Sequence, residues 1–252
     1  TLSIHSFPTR RSSDLESLDT FAFFDLVNPV LSQLQEDGEP DRRELLRRQA
    51  DFVSRISRLA KDLRNSKDAR PKKIDRLRAT LHDSKSGLGT FAAIPLPLDT
   101  RKSIIGIDAE KSSVFKSNLF PLRLHLLCDD GTDYPVIFKN GDDLRQDQLV
   151  IQLFTLMDRL LRKENLDLKL LPYRVLATGA VDGMVQFVES KTLADISNEY
   201  GGSLLNYLKA HHADPGSVGT YGVKPEVLDT YIRSCGALHL SRLSLKELTL
   251  VS

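Results

Sequence analysis

The sequence of 252 residues predicts an α+β fold, and three observations lead to this class. Apolar residues recur at helical spacing before residue 84. Short β-rich runs bounded by turn residues follow after residue 100, and one strongly amphipathic segment separates two sets of these runs. Strand runs joined by tight turns and interrupted by a single helix indicate an antiparallel sheet with a packed helix. The 40% hydrophobic and 27% charged residues fit a globular chain that can bury a sizeable core.

Three helices are predicted in the first part of the chain. Residues 20–36 place their apolar side chains on one helical face, and residues 41–64 repeat the pattern with arginines and lysines between the apolar positions. Asp41 is expected to cap the start of this second helix. A third, shorter helix is predicted over residues 71–82.

The composition changes near Ser84, where strands begin to be predicted. Residues 94–99 (IPLPLD) predict an extended linker interrupted by prolines, and four β-rich runs follow: SIIGI, SSVFKS, LRLHLL and YPVIFK. Asp130-Gly131 predicts a hairpin turn between the last two of these runs. A second pair of runs, YRVLATG and GMVQFVES, flanks another turn at Asp182-Gly183.

The helix between the two sets of strands is predicted over residues 142–164. Its buried stripe is expected to consist of Leu149, Val150, Leu153, Leu156, Leu160 and Leu161. Two more helices are predicted over residues 192–211 and 225–235, with a loop containing glycine and proline between them.

Charge and cysteine content argue against several classes of protein. The net charge of +1 provides no overall attraction to nucleic acid or an acidic membrane, and no apolar run is long enough to cross a bilayer. Basic residues are dense from Arg42 to Arg78, but the acids among them favour a solvated helix surface over a binding face. Cys128 and Cys235 are expected to be buried, reduced thiols of an intracellular protein. His211-His212 is expected to be an exposed pair, so no metal site is assigned.

Residues 136–149, VIFKNGDDLRQDQL, combine a buried strand with a lysine and three acids. Lys139 ends the apolar run, and Asp142, Asp143 and Asp147 follow. Burying a lysine is costly unless its ammonium meets a carboxylate or the phosphates of a ligand. Asp143 and Asp147 lie one helical turn apart, so either carboxylate can face Lys139 from one side of a helix. From the residues alone, a surface ion pair and a phosphate site both stay open.

The same stretch resembles a known family. VIFKNGDDLRQDQLVIQLFTLMDRLL is similar to the signature of phosphatidylinositol 3-kinases around their ATP-contacting lysine, and LLRKENLDLKLLPYRVLATG is similar to the class III branch of that family. Three further stretches resemble the family's linker, its phosphate loop and a helix of its C-terminal lobe: IPLPLDTRKSIIGI, VFKSNLFPLRL and KPEVLDTYIRSC. The resemblance covers residues 94–235 and is most specific over residues 134–179.

The resemblance implies a site for ATP. In it, Lys139 would contact the phosphates, Asp147 would orient Lys139 from the helix, and Tyr173 would line the inner wall beside Asp147. The other implied residues are Phe115, Lys116 and Ser117 in the phosphate loop, Pro121, Ile137 and Val185 against the adenine, and Gln186, Phe187 and Val188 in the hinge. From the residues alone, the apolar members of this set are also compatible with an ordinary hydrophobic core.

The resemblance implies ATP as the phosphate donor and Mg²⁺ as the cofactor. In this family a DRHxxN loop and a DFG motif supply the base and the metal ligands, and neither motif occurs in this sequence. No catalytic or metal-binding residue is therefore assigned, and the chain by itself is expected to be inactive.

The resemblance also divides the chain into segments. Residues 1–15, TLSIHSFPTRRSSDL, are expected to be a non-native tail similar to a translated sequencing adapter, and residues 236–252 an aberrant tail from a frameshift, retained intron or assembly error. Neither tail is expected to pack into a core. Between them we expect the end of a helical domain, a linker, a protein-kinase-like N-terminal lobe and the start of a helical C-terminal lobe, at residues 16–83, 84–100, 101–190 and 191–235.

The function implied by the resemblance is that of a lipid kinase, which transfers the γ-phosphate of ATP to the 3-hydroxyl of phosphatidylinositol in vesicle sorting and autophagy. The implied partners are the lipid membrane, a regulatory protein-kinase-like subunit and a beclin-type subunit, without nucleic acid. The implied location is cytoplasmic, peripheral on endosomal and autophagosomal membranes. The alternative is a non-catalytic nucleotide-binding or scaffold module.

Overall fold

The computed structural model of the chain describes residues 40–248, with side chains described up to residue 236. The described chain divides into two compact units. The first unit continues through Ile151 and includes Tyr173–Phe187, whereas the second contains Gln152–Pro172 and the residues from Val188 onward.

Three predictions concern residues that the structure does not describe. The helix predicted over residues 20–36 and the tail predicted over residues 1–15 lie outside the described residues. In the tail predicted over residues 236–252, only the backbone is described beyond residue 236, and that only as far as residue 248.

The first unit contains a six-stranded sheet. Its strands are β1 (Thr90–Leu96), β2 (Asp99–Val114), β3 (Leu122–Cys128), β4 (Asp133–Asn140), β5 (Val175–Ala177) and β6 (Asp182–Gln186). They lie in the order β1-β2-β3-β4-β6-β5, and every neighbouring pair is antiparallel. The predicted α+β class with an antiparallel sheet is therefore confirmed.

Two strand predictions differ from the structure. SIIGI and the start of SSVFKS belong to one long strand, β2, whose pairing with β3 shifts register between Asp108 and Ser113. This irregularity breaks the alternation that predicted two separate strands. The segment IPLPLD, predicted as a linker, forms the end of β1 and the start of β2. Pro95 is tolerated there because β1 is an edge strand, where a missing N–H leaves no neighbour unpaired.

Two helices, α1 (Pro40–Asn65) and α2 (Arg70–His82), precede the sheet and confirm the helices predicted over residues 41–64 and 71–82. Asp41 lies inside the first turn of α1, because the helix begins at Pro40, so the predicted cap is wrong. The buried side chains of the two helices join those of the sheet in one core; they are Phe52, Val53, Ile56, Leu59, Ala60, Leu63, Leu77 and Leu81.

The two faces of the sheet have different roles. The face that builds the core carries side chains that are at most 1% exposed: Leu122, Leu124, Leu126, Val136, Phe138 and Met184. Successive side chains of a strand point to opposite faces. Arg123, Lys139 and Val185 on the other face are only partly buried, and Ile137 is buried but lies outside the core cluster. This second face is the one that carries the predicted site residues of β4 and β6.

A helix follows β4, as predicted, but its predicted buried stripe is wrong. In α3 (Arg145–Lys163), Leu149, Leu156 and Leu160 are each more than half exposed. The buried residues are Ile151 and Phe154, which lie on the opposite side of the helix. Periodicity failed here because α3 carries apolar side chains on both sides, and the leucines form the longer row.

The second unit is helical, with α4 (Leu193–Glu199), α5 (Leu204–His212) and α6 (Pro225–Leu248) following the end of α3. The single helix predicted over residues 192–211 is wrong. Gly201 and Gly202 both adopt positive φ and interrupt it, and the Ser203 hydroxyl then caps α5. α6 begins where predicted and continues beyond residue 235. None of the described helices is long and apolar enough to cross a membrane.

The prediction for histidine is confirmed, and that for cysteine is confirmed in part. Cys128 and Cys235 are both unpaired thiols, and Cys128 is buried as predicted, but Cys235 is only partly buried. His211 and His212 are exposed, and His211 Nε2 lies 2.9 Å from the hydroxyl of Tyr200.

Candidate nucleotide-binding site

The turn between β2 and β3 contains four of the predicted site residues. Phe115, Lys116 and Ser117 follow the end of β2, and Pro121 precedes β3. The N–H of Phe115 donates to the carbonyl of Pro121 at 2.9 Å and closes the turn, while Phe120 adopts a left-handed φ of 46°. Lys116 and Ser117 are exposed. The turn therefore places an ammonium and a hydroxyl in solvent, and both groups can bind phosphate oxygens.

Lys139 forms an ion pair with Asp142, at 2.9 Å between Nζ and Oδ2. The predicted pairing with Asp147 or Asp143 is not observed. A tight turn after β4 accounts for this, because Gly141 adopts a φ of 97° and its N–H and that of Asp142 both donate to the carbonyl of Val181. The chain thereby returns Asp142 towards Lys139 before α3 begins. Asp143 binds the guanidinium of Arg145 instead.

Asp147 and Tyr173 nevertheless interact electrostatically near Lys139. Asp147 is half-buried in the first turn of α3. Burial raises the pKa of its carboxyl, and the ammonium of Lys139 partly opposes that rise. Burial also raises the pKa of Tyr173, and the charge of Asp147 adds to this effect. The structure thus brings three predicted site residues into one neighbourhood.

Replacing Asp147 by asparagine is expected to raise the free energy of unfolding at neutral pH. Because the pKa of Asp147 is higher in the folded than in the unfolded chain, ionising this carboxyl costs more free energy in the folded chain. The free energy of unfolding of the parent therefore falls as the pH rises through the folded-state pKa. Asparagine keeps the shape of the side chain without the charge. The difference between variant and parent should be absent in acid and grow towards neutral pH, as urea unfolding at several pH values will show.

Asp143→Asn is the matched control, with the opposite sign. The hydrogen bond from Arg145 lowers the pKa of Asp143, so its contribution to stability is lost as the pH falls. We expect this variant to be slightly less stable than the parent at neutral pH, with the difference vanishing in acid. An Asp147→Asn variant that is less stable than the parent at neutral pH would contradict the prediction for Asp147.

Ile137 and Val185 face each other across β4 and β6. Directly opposite residues of an antiparallel pair point to the same face, so their side chains are adjacent on the face that carries Lys139. Val185 also pairs with Val175 of β5. The result is an apolar patch beside an ammonium, a combination suited to a flat base linked to phosphates.

The predicted hinge follows directly on β6. The N–H of Gln186 donates to the carbonyl of Arg174 at 2.8 Å, and that of Phe187 donates to the carbonyl of Pro135 at 3.0 Å. Gln186 is therefore hydrogen-bonded to the residue before β5, and Phe187 to β4, both in the first unit. Val188 begins the part of the chain that belongs to the second unit.

Arg123 is a residue of this region that the sequence analysis missed. Its guanidinium carbon lies 4.2 Å from the centroid of the Phe187 ring, and the ring of Phe115 lies 6.3 Å from the same ring. The buried Nε of Arg123 has no hydrogen-bond partner among the described residues. A signal was present in LRLHLL, because an arginine alternating with Leu122 and Leu124 must point away from the core face.

The first turn of α3 is attached to the sheet. Gln148 Oε1 accepts the N–H of Ala177 at 2.8 Å. A Cβ at Gly183 would lie 2.6 Å from a methyl of Leu144 and 2.7 Å from the carbonyl of Leu176. Glycine at position 183 therefore permits the close approach that brings the start of α3, and with it Asp147, to β6.

Ligands for a metal ion are not assembled in the described part of the chain. No group of three or more His, Cys, Asp or Glu side chains there is arranged to hold one. The acids closest to Lys139 in sequence are engaged by basic side chains, Asp142 by Lys139 and Asp143 by Arg145. The described residues therefore offer a lysine and an apolar patch to a nucleotide, but no protein cluster of metal ligands.

The antiparallel sheet, with a lysine near the end of an inner strand and a helix following that strand, is the architecture of a kinase-like N-terminal lobe. Comparison with known proteins leads to the same class of protein. Residues 133–238 match the family model described as phosphatidylinositol 3- and 4-kinase. Over these residues the chain matches that family, and the resemblance predicted from the sequence is confirmed.

Curated relatives carry the names of phosphatidylinositol 3-kinases. The chain is 54% identical over 194 residues to phosphatidylinositol 3-kinase pik3 of Schizosaccharomyces pombe, which covers 77% of this chain and 24% of the relative. It is 43% identical to the root isoform of phosphatidylinositol 3-kinase of Glycine max (80% and 24%) and 38% identical to phosphatidylinositol 3-kinase VPS34 of Saccharomyces cerevisiae (83% and 24%). The chain therefore spans about a quarter of the length of these relatives.

Proposed function

We propose that this chain is the ATP-binding part of a phosphatidylinositol 3-kinase, and that the whole protein transfers the γ-phosphate of ATP to the 3-hydroxyl of phosphatidylinositol. The observation that carries the proposal is Lys139, a lysine beside the apolar patch of Ile137 and Val185 within a segment that matches the kinase family. Its charge is held in place by Asp142 and remains about a quarter exposed, so incoming phosphates can reach it.

The proposed roles are those that the family resemblance implies, and the exposure and position of several side chains support them. Lys139 neutralises phosphate charge, and the exposed Lys116 and Ser117 cover the phosphates together with Phe115. Asp147 and Tyr173 line the inner wall beside Lys139. The remaining contacts are apolar packing on the adenine by Pro121, Ile137 and Val185, and binding of its edge by the hinge of Gln186, Phe187 and Val188.

The proposed division of the chain follows the family resemblance. Residues 16–83 are the end of a helical domain, and residues 84–100 connect it to the lobe through β1, which pairs with the sheet. Residues 101–190 are the kinase N-terminal lobe and residues 191–235 the start of the C-terminal lobe. The proposed partners are a regulatory protein-kinase-like subunit and a beclin-type subunit, on endosomal and autophagosomal membranes. The relatives named phosphatidylinositol 3-kinase VPS34 support the lipid substrate, whereas the subunits and membranes are proposed from the family resemblance. Family membership disfavours the alternative of a non-catalytic scaffold module.

Nucleotide binding by the 252-residue chain tests the proposal. A fluorescent ATP analogue is expected to bind with a Kd of about 1 mM and to be displaced by ATP, because only part of a kinase site is present. Lys139→Ala should weaken this binding. Lys111→Ala, which removes an exposed lysine paired with Asp133, should not. Binding that is unaffected by Lys139→Ala would overturn the assignment.

The same preparation is expected not to phosphorylate phosphatidylinositol, since the sequence contains neither the DRHxxN loop nor the DFG motif. Transfer of radiolabelled phosphate to lipid vesicles measures this. Activity above that of a boiled control would place a base and metal ligands among residues to which no such role is assigned.

A further inference from the structure

Helices α1 and α2 contact both turns that flank the proposed phosphate site. We define the phosphate turn as residues 115–121 and the lysine turn as residues 140–142. The phosphate turn contains Phe115, Lys116 and Ser117, and the lysine turn follows Lys139 and contains its partner Asp142. Both helices and both turns lie in the first unit, so these contacts are internal to one compact body.

The contact with the phosphate turn centres on Lys73. This lysine of α2 is fully buried, and its ammonium donates to the carbonyl of Leu63 and to both the carbonyl and the hydroxyl of Ser66, at 2.7 and 3.1 Å for the latter two. Carbonyls at the C-terminal end of a helix lack intrahelical partners and carry partial negative charge, so they stabilise a buried cation. Lys73 is thereby fixed at the end of α1.

The same ammonium lies over the ring of Phe120, 4.4 Å from its centroid. Phe120 is the residue of the phosphate turn with the left-handed φ, a conformation that an aromatic residue adopts only when its surroundings hold it. Arg70 of α2 adds a second attachment, donating from Nε to the carbonyl of Val114 at 2.7 Å, immediately before the turn begins. The turn is thus held at both ends by α2.

The contact with the lysine turn runs through Asp182. Ser57 of α1 donates its hydroxyl to Asp182 Oδ2 at 2.8 Å, and the side-chain amide of Asn140 donates to Asp182 Oδ1. Asn140 directly follows Lys139 and is almost fully buried. The guanidinium of Arg64, near the end of α1, packs where a side chain at Gly141 would lie. α1 is therefore attached to the lysine turn through one carboxylate and one close packing contact.

We propose that α1 and α2 set the distance between the phosphate turn and the lysine turn, and that Ser57 and Lys73 are positioning residues for ATP. This inference rests on the proposed function. Misplacing a phosphate contact by about 1 Å can reduce the rate of a reaction by about 100-fold, so small shifts of these helices change nucleotide affinity and turnover.

Steady-state kinetics of the full-length kinase provide the test. Ser57→Ala is expected to raise the KM for ATP about fivefold, the equivalent of one lost hydrogen bond, and to leave the KM for phosphatidylinositol unchanged. Ser57→Thr keeps the hydroxyl and should restore the parental value. The control Ser54→Ala makes the same change on the same helix, at a serine for which the described residues show no bond to the sheet.

The contact between Lys73 and Phe120 is tested from both sides, because replacing a buried lysine can by itself impair folding. Lys73→Met and Phe120→Leu are each expected to raise the KM for ATP, and the double variant should raise it no further than Lys73→Met alone, since both remove one contact. A merely structural role would lower the yield of active enzyme and the apparent kcat while leaving the KM for ATP unchanged. That outcome for Ser57→Ala, Lys73→Met and Phe120→Leu alike would overturn the inference.

Failure of the inference and failure of the proposed function give different results. If Lys139→Ala abolishes turnover while the Ser57 and Lys73 variants keep the parental KM for ATP, the nucleotide site stands and the positioning role is wrong. If Lys139→Ala leaves turnover and the KM for ATP unchanged, the site itself is wrongly assigned.

Discussion

In the full-length kinase, Lys139→Ala is expected to lower kcat by at least about 100-fold, which corresponds to about 3 kcal/mol of lost transition-state stabilisation. The reason is that Lys139 is proposed to act on phosphate charge at the moment of transfer. The chain should still fold, with some loss of stability because Asp142 is about a quarter exposed and loses its partner. A lipid kinase assay under saturating ATP measures the loss, with circular dichroism as the check on folding.

Lys111→Ala is the matched control for this experiment. Lys111 is more than half exposed and binds Asp133, so it has the same chemistry and an ion pair of its own without a place in the proposed site. Parental kcat is expected for this variant. A Lys139→Ala enzyme that retains more than about a tenth of parental kcat would contradict the role given to Lys139.

Phe138, which directly precedes Lys139, is expected to contribute to stability rather than to turnover. Phe138→Ala should cost about 3–5 kcal/mol of unfolding free energy, because Phe138 is fully buried on the core face of β4 and its loss leaves a cavity. Lys139 points to the other face, so one step along the strand separates stability from nucleotide binding. Urea unfolding of the 252-residue chain measures the effect.

Leu149→Ala serves as the comparison for Phe138→Ala. Leu149 is 56% exposed on α3, so its truncation is expected to change the unfolding free energy by less than about 0.5 kcal/mol. If the two variants lost similar stability, or if Phe138→Ala lost less than about 1 kcal/mol, the division of the sheet into a core face and a site face would be wrong.

Local patterns in the sequence were sufficient for α1, α2 and the hairpin of β3 and β4. α1 and α2 follow from apolar spacing, and Asp130-Gly131 lies in the turn between β3 and β4, where Gly131 adopts a φ of 77°. These features depend on residues close together in the chain. The ion pair between Lys139 and Asp142 could not be predicted from local patterns. It depends on the path of the backbone through Gly141 and on where α3 begins.

Contacts between residues far apart in the sequence determine the positions of Lys73 and Arg123 and the buried side of α3, which local patterns did not predict. Lys73 lies within the basic stretch for which the sequence indicates a solvated surface, yet it is fully buried, because the end of α1 surrounds its ammonium with carbonyls. Arg123 could be placed on the site face by alternation, but its position over Phe187 requires the pairing of β3, β4 and β6. The apolar side chains on both sides of α3 likewise show which side is buried only once the helix is packed.

The order of the strands has a consequence for how the chain folds. Four of the five pairings join strands that are consecutive in the chain, whereas α3 lies between β4 and β6. Asn140 and Asp182, which bond across that pairing, are 42 positions apart. Closing so long a loop costs more chain entropy than forming a hairpin, so local pairings form faster. We therefore expect β3 to gain protection from hydrogen exchange before β6 during refolding, and simultaneous protection would contradict this order. On a ribosome, the hydrophobic core would then form first and the capacity to hold a nucleotide would arise last.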